Sequence, residues 1–117
     1  FLDAATLHRL NERTRHAGAE LVQLYQRGGA YYAPASAAWT MVAAIAQNQS
    51  RLLPAAVYLR GEYGLQDVFL GVPCRLGRGG IEQIIEVELT AAEQALLAQS
   101  AQIVRAQVDQ ALQGLEA

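Results

Sequence analysis

The sequence contains no lysine, a single cysteine and only two histidines among its 117 residues. Nine arginines stand against eleven acidic residues, so the net charge is −2 and no basic field favours nucleic-acid binding. One cysteine excludes an intramolecular disulfide framework and a cysteine-rich zinc site. No apolar run approaches the roughly 18 to 20 residues of a membrane span, and no signal-peptide pattern is visible. We therefore expect a soluble, cytoplasmic protein that binds neither membrane nor nucleic acid.

Hydrophobic residues make up 52% of the chain, which is enough for the core of one domain. Their spacing predicts two helices, then three strands joined by short links, then a final helix. Because short links favour antiparallel pairing, we predict the α+β class: two helices, a three-stranded antiparallel sheet and a long C-terminal helix.

The first helix is predicted from about Asp3 to Arg27, with Asp3 as its N-cap and Gly28-Gly29 ending it through a left-handed residue. One face carries an apolar stripe, formed by Leu7, Leu10, Thr14, Ala17, Leu21 and Leu24. A helix of this length extends roughly 37 Å, whereas a domain of this size has a radius of gyration of about 13 Å. We therefore expect the helix to lie against something larger.

The second helix is predicted from about Pro34 to Asn48, because the fixed φ of proline suits a first helical turn. Its residues are apolar almost all round, which predicts burial on most sides. A capping box formed by Thr90 and Glu93 opens the final helix, which is predicted to end near Gln113.

Three strands are predicted between these helices, over 52–58, 68–76 and 81–89. The second alternates strictly between apolar and other residues, although Pro73 cannot donate to a ladder and favours an edge or a bulge. The segment Gly77-Arg78-Gly79-Gly80 superficially resembles a dinucleotide-binding loop. A strand follows it instead of the helix that a phosphate cradle needs, so we interpret it as a hairpin turn.

The residues that could carry chemistry are few. His8 and His16 lie about 12 Å apart along one helix, which is too far for one metal ion, and they lack a third partner for a Ser/His/Asp set. We interpret both as solvated helix positions. Cys74 is interpreted as a buried, inert thiol, and the alternating Glu82, Glu86 and Glu88 as a solvent-facing acidic strand face.

The segment from Gly28 to Ala37 joins the first two helices with small residues, two tyrosines and a proline. Small side chains at a helix N-terminus leave room for a flat ligand to approach the backbone. The same composition suits a tight interhelical turn with aromatic packing. The residues alone leave both interpretations open and offer no catalytic machinery.

Ordered motifs along the whole chain carry a family resemblance. They run through Arg13-Thr14-Arg15, Gly18-Ala19-Glu20, Ala30-Tyr31-Tyr32-Ala33-Pro34-Ala35, Tyr58-Leu59-Arg60-Gly61-Glu62-Tyr63-Gly64, Gly71-Val72-Pro73 and Gly79-Gly80-Ile81-Glu82. With these motifs the chain resembles the lactate/malate dehydrogenase family, in particular its bacterial malate dehydrogenases closest to lactate dehydrogenases. The resemblance covers only the C-terminal part of such an enzyme.

The resemblance implies that residues 1–117 are the substrate-binding and oligomerisation part of an NAD-dependent malate dehydrogenase without a metal. Such an enzyme transfers hydride reversibly between L-malate and oxaloacetate in the tricarboxylic acid cycle. The N-terminal Rossmann domain, the mobile-loop arginines and the His/Asp proton relay would lie upstream. No catalytic residue is therefore assigned here, and the 117 residues alone are expected to be inactive.

Two positions match the family's loop motif. The resemblance implies that Ala30 lines the pocket of a small dicarboxylic acid beside the nicotinamide, and that Pro34 packs on the nicotinamide ring of NAD. It also implies that the chain packs on its Rossmann domain and on other copies in a homodimer or homotetramer. The alternatives are a lactate dehydrogenase C-terminal domain, in which threonine usually takes the place of Ala30, and a non-catalytic α+β association module.

Overall fold

The computed structural model describes residues 2–115. Helices α1 (Ala4–Tyr25) and α2 (Tyr32–Ala46) precede a sheet of β1 (Arg51–Arg60), β2 (Gln66–Gly77) and β3 (Gly80–Ile84), and α3 (Ala91–Leu115) follows the sheet. A single 3₁₀ turn (Glu62–Gly64) lies between β1 and β2. The predicted class and order of elements are confirmed. The chain divides into two compact units, with the boundary between Thr40 and Met41 inside α2.

Helix α1 begins as predicted and ends earlier than predicted. Oδ1 of Asp3 accepts a hydrogen bond from the Thr6 N–H at 2.8 Å, which caps the helix and lowers the pKa of the Asp3 carboxyl. At the other end Gln26 adopts φ 57°, and its N–H donates to the Val22 carbonyl at 3.1 Å. Gln26 is therefore the left-handed residue that stops the helix, and the assignment of that role to Gly28-Gly29 is wrong.

Helix α2 begins two residues before the predicted start. The Tyr31 carbonyl accepts the first helical hydrogen bond, from the Ala35 N–H at 3.0 Å, so Pro34 is the third helical residue. A proline is tolerated there because the N–H groups of a first helical turn have no partner within the helix. The helix ends at Ala46, two residues before the predicted end.

The predicted burial of α2 is wrong for the described residues. Only Ala44 is buried, whereas the Trp39 side chain is 68% exposed and Val42 is exposed as well. No residue of α1 is buried, and Leu24 of its apolar stripe is 72% exposed. Both helices therefore carry apolar surface that no described residue covers.

The sheet has the order β1-β2-β3 with antiparallel pairing. The predicted edge or bulge position of Pro73 is wrong, because β2 is the central strand and Pro73 lies opposite Pro54 of β1. Two prolines cannot exchange N–H···O bonds, so this pair costs the β1–β2 ladder no hydrogen bond. The Pro73 carbonyl faces β3, where it accepts a hydrogen bond from the Ile85 N–H at 2.8 Å.

The core lies between one face of this sheet and α3. As the alternation predicts, every second side chain of β2 is buried, and Ala101 of α3 packs against them with no exposed surface. Cys74 is fully buried, its Sγ donates to the Leu53 carbonyl at 3.4 Å, and desolvation raises the pKa of its thiol. The interpretation of Cys74 as a buried, inert thiol fits this environment.

Strand β3 is five residues long, so the predicted extent to Leu89 is wrong. Beyond Ile84 the Ile85 N–H makes one more bond, to the Pro73 carbonyl of β2, whereas the Ile85 carbonyl and the Val87 N–H bond to Tyr63. The Tyr63 hydroxyl donates to the Ile85 carbonyl and accepts from the Val87 N–H, and the Tyr63 N–H donates to the Glu86 carboxylate at 2.6 Å. The Tyr63 hydroxyl therefore supplies the hydrogen bonds that the β2–β3 ladder does not make beyond this point.

Thr90 and Glu93 open α3 as predicted. The Thr90 N–H donates to Oε2 of Glu93 at 2.9 Å, and the Glu93 N–H donates to Oγ1 of Thr90 at 3.3 Å. These reciprocal bonds satisfy two donors that a helix start otherwise leaves without a partner. No helix within residues 2–115 combines the length and apolar character needed to cross a bilayer.

Candidate functional site

The candidate site is the loop that joins α1 to α2. Gln26 and Gly28 take left-handed φ values of 57° and 67°, which reverse the chain after α1. Tyr31 then caps α2 through its carbonyl oxygen. From Gly28 to Ala46 the sequence contains no charged residue, so this stretch is polar only through its backbone, its hydroxyl groups and the indole N–H of Trp39.

The loop places the two residues singled out by sequence near the same helix start. Ala30 is half-buried immediately before the cap of α2, and Pro34 is exposed in the first helical turn. Ala30 precedes Pro34 by four residues, the first in the loop and the second in the helix. Within residues 2–115 this loop brings no acid, base or nucleophile beside them.

Aromatic side chains surround this helix start. The rings of Tyr25 and Tyr32 lie 6.3 Å apart at 46°, which is the tilted geometry that aromatic pairs prefer. The ring of Tyr31 lies over Gly28. The expectation of aromatic packing in this turn is confirmed, whereas the contact with Gly28 had no signal in the sequence beyond the glycine itself.

An ion pair on α1 links two of the motifs that carried the resemblance. Nε and Nη2 of Arg13 donate to the two carboxylate oxygens of Glu20 at 3.2 and 3.0 Å. These bonds lower the pKa of the Glu20 carboxyl and raise that of the Arg13 guanidinium. The pair borders a shallow groove along the apolar stripe, lined also by Leu10, Thr14, Ala17, Leu21 and Leu24.

A second groove lies between the β1–β2 hairpin and α3 and encloses about 340 Å³. The Tyr58 hydroxyl donates to Oδ1 of Asp67 at 2.8 Å, and this bond raises the pKa of the Tyr58 phenol. Asp67 is the extra residue of a β-bulge with φ 54°. Sequence reasoning missed this groove. A bulge leaves no local pattern in the sequence, and neither does a contact between residues 39 positions apart, such as the bond from Arg105 to the Gln66 carbonyl.

The remaining candidates have structural roles. His8 and His16 are exposed on α1, as expected for solvated positions. Gly77 pairs with Gly80 across a two-residue hairpin turn, which confirms the interpretation of that glycine-rich segment. Glu82 is exposed on β3 and accepts from the Ser50 hydroxyl at 2.6 Å, whereas Glu86 and Glu88 are exposed but lie beyond the strand. Within residues 2–115, no three His, Cys, Asp or Glu side chains are grouped to hold a metal ion.

Known sequences match nearly the whole chain. The malate dehydrogenase of Trichormus variabilis is 59% identical over 109 residues, which cover 93% of this chain and 34% of that protein. The malate dehydrogenase of Synechocystis is 60% identical over 107 residues, which cover 92% of this chain and 33% of that protein. The chain therefore spans about a third of the length of the curated relatives it matches.

Solved structures match the fold equally well. The malate dehydrogenase of Salinibacter ruber superposes with a TM-score of 0.91 and 44% identity, over 100% of this chain and 39% of that one. A lactate dehydrogenase of Eimeria maxima, solved with NADH and oxamate, gives a TM-score of 0.86 and 34% identity, over 98% of this chain and 36% of that one. Residues 2–114 match the sequence profile of the lactate/malate dehydrogenase α/β C-terminal domain, and the chain belongs to that family.

Proposed function

We propose that this chain is the C-terminal, substrate-binding part of an NAD-dependent malate dehydrogenase, which interconverts L-malate and oxaloacetate by hydride transfer. The observation that carries the proposal is the 59–60% identity to proteins named malate dehydrogenase over more than nine-tenths of the chain. The lactate dehydrogenase of Eimeria maxima is less similar to this chain than these malate dehydrogenases are, at 34% identity.

Ala30 is proposed to form part of the substrate pocket. It is half-buried just before the start of α2, in a stretch from Gly28 to Ala46 that contains no charged residue. A methyl side chain leaves more volume than the threonine that the family's lactate enzymes usually carry, and a four-carbon dicarboxylate needs that volume. The loop's one charged residue is Arg27, and the family resemblance places the arginine that binds the substrate carboxylate outside this chain.

Pro34 is proposed to contact the nicotinamide ring. Its pyrrolidine ring is exposed, apolar and without an N–H, and no charged residue accompanies it from Gly28 to Ala46. Such a surface fits a flat, neutral dihydropyridine and excludes water from its face. When bound, the reduced nicotinamide supplies the hydride. The rest of the cofactor would be held by the N-terminal Rossmann domain.

The exposed apolar faces of α1 and α2 support a second element of the proposal. The Leu24 and Trp39 side chains are both more than two-thirds exposed, which is unusual for large apolar side chains on the surface of a complete protein. We propose that the remaining two-thirds of the enzyme, and neighbouring copies in a homodimer or homotetramer, cover these side chains.

The test compares the complete enzyme with this chain alone. The complete enzyme is expected to oxidise NADH with oxaloacetate at a kcat/KM at least about tenfold above that with pyruvate, which corresponds to about 1.4 kcal/mol of transition-state discrimination. The isolated 117 residues are expected to show no turnover. Equal efficiency with both keto acids, or a preference for pyruvate, would refute the malate assignment and favour a lactate dehydrogenase.

A further inference from the structure

The aromatic ring of Tyr31 lies directly over the backbone of Gly28. A Cβ placed on Gly28 would lie closest to Oη of Tyr31, 2.7 Å from Cζ and 2.8 Å from Cε2, so the phenol end of this side chain would have to shift. Gly28 also has φ 67°, a conformation that L side chains rarely adopt. Glycine is therefore required here for the backbone angle, and a larger residue would in addition displace the phenol end of the Tyr31 side chain.

This contact closes the loop around Ala30. Tyr31 follows Ala30 directly, and its ring folds back onto the residue three positions earlier, so Ala30 lies between two parts of the chain that touch. Tyr31 also gives α2 its first hydrogen bond, since its carbonyl accepts from the Ala35 N–H at 3.0 Å. One residue thus connects the loop that carries Ala30 to the helix that carries Pro34.

We propose that Gly28 and Tyr31 are positioning residues that hold Ala30 in the substrate pocket, an inference that rests on the function proposed above. Tyr31 is 66% exposed among the described residues, so its ring packs at the surface of this chain and not in its core. The loss of this contact consequently alters the loop and its discrimination between substrates more than it alters folding.

The test uses the complete enzyme with Gly28→Ala and the neighbouring Gly29→Ala as the matched control. A Cβ on Gly29 meets no atom within 4 Å, and its φ is not left-handed. Gly28→Ala is expected to lower kcat/KM for oxaloacetate by about tenfold or more, and that for pyruvate by less than about threefold, because small displacements of a pocket wall are costly for a fitted substrate. Gly29→Ala is expected to change neither value by more than about twofold.

A double-mutant cycle separates the ring contact from backbone strain. Tyr31→Ala alone is expected to reduce the preference for oxaloacetate. Adding Gly28→Ala to Tyr31→Ala is expected to lower kcat/KM for oxaloacetate by less than about a further threefold, because the two residues share one interaction. Tyr31→Phe keeps the ring and is expected to retain the preference. An equal cost of Gly28→Ala with and without the Tyr31 ring would overturn the inference, as would loss of the preference in Tyr31→Phe.

The outcomes distinguish this inference from the proposed function. If the unsubstituted enzyme does not prefer oxaloacetate, the proposed function fails. If it does, and Gly28→Ala lowers the efficiency with both keto acids equally, only the positioning role is refuted. Thermal unfolding of each variant accompanies the kinetics, and if Gly28→Ala does not fold, the Tyr31→Ala and Tyr31→Phe pair decides the question by the same ratio.

Discussion

The hydroxyl of Tyr63 donates to the carbonyl of Ile85 at 2.8 Å, which fixes the chain where it leaves β3. The same oxygen accepts from the Val87 N–H at 3.1 Å. Tyr63 has φ 56° in the short turn between β1 and β2, so a residue of unusual backbone conformation holds the distant segment that leads to α3.

Tyr63→Phe is expected to lower the free energy of unfolding by about 1–3 kcal/mol, because the half-buried Ile85 carbonyl loses its donor while the ring remains. Urea unfolding measures the change. Tyr25→Phe is the control, since its hydroxyl makes no hydrogen bond to any residue within 2–115, and its effect should stay within about 0.5 kcal/mol. Equal effects of the two substitutions would show that the Tyr63 hydroxyl does not stabilise this segment.

Gly77→Ala is expected to lower the free energy of unfolding by about 0.5–1.5 kcal/mol, because the added Cβ displaces the Glu82 carboxylate from its hydrogen bond with Ser50. Gly77 is buried, and a Cβ there would stand 2.5 Å from Cδ of Glu82, whose carboxylate also accepts the Ser50 hydroxyl. Gly79→Ala is the matched control in the same turn, because a Cβ there meets nothing within 4 Å. The cost of Gly77→Ala should shrink in the Glu82→Ala background, and a constant cost would argue against this clash.

Thr90→Ala is expected to lower the free energy of unfolding by about 0.5–2 kcal/mol through loss of the N-cap of α3. The Thr90 hydroxyl accepts from the Glu93 N–H and donates to the Glu93 carboxylate at 2.7 Å. Thr90→Ser keeps both bonds and should lie close to the unsubstituted protein. A melting temperature unchanged by Thr90→Ala would contradict the cap.

The same pair predicts a dependence on pH. Hydrogen bonds from Thr90 lower the pKa of the Glu93 carboxyl in the folded state. A depressed carboxyl pKa contributes stability above the unfolded value of about 4.3, and that contribution is lost as the pH falls through the folded value. The difference in stability between the unsubstituted protein and Thr90→Ala should therefore be smaller at about pH 3 than at pH 7, as unfolding at both pH values would show.

Ala30→Thr in the complete enzyme is expected to reduce kcat/KM for oxaloacetate more than for pyruvate, because the added atoms take volume from a longer substrate. The expected change in their ratio is about 10-fold, in the range of one misplaced group in a pocket. Ala33→Thr, the same substitution at an exposed position of α2, is the control. If Ala30→Thr leaves the rates with both substrates unchanged, Ala30 does not line the substrate pocket.

Elements with local causes could be predicted from the sequence. The spacing of Thr90 and Glu93, the N-cap at Asp3 and the alternation along β2 each act over a few residues, and each occurs in the structure as expected. The assignment of Ala30 and Pro34 to a site came from the family resemblance and stays a prediction.

Features that depend on distant partners could not be predicted. The end of β3 is set by Tyr63, more than twenty residues earlier in the chain. The central position of Pro73 also depends on a distant partner, because its missing N–H faces β3, where the Tyr63 hydroxyl donates to the Ile85 carbonyl instead. The role of Gly28 depends on a ring that folds back over it, and a glycine in a sequence does not reveal what occupies the space above it.

The pairing of Pro54 with Pro73 also protects the outer side of β1. The Pro73 carbonyl faces β3, so Pro54 and Pro73 form a non-hydrogen-bonded pair. The backbone nitrogen of Pro54 therefore points away from β2, toward the free side of the edge strand, and it has no hydrogen to donate. A strand from another molecule that tried to extend the sheet would meet a missing donor near the middle of this ten-residue edge. The Pro54–Pro73 pair thus hinders the addition of further strands at this edge, and with it aggregation.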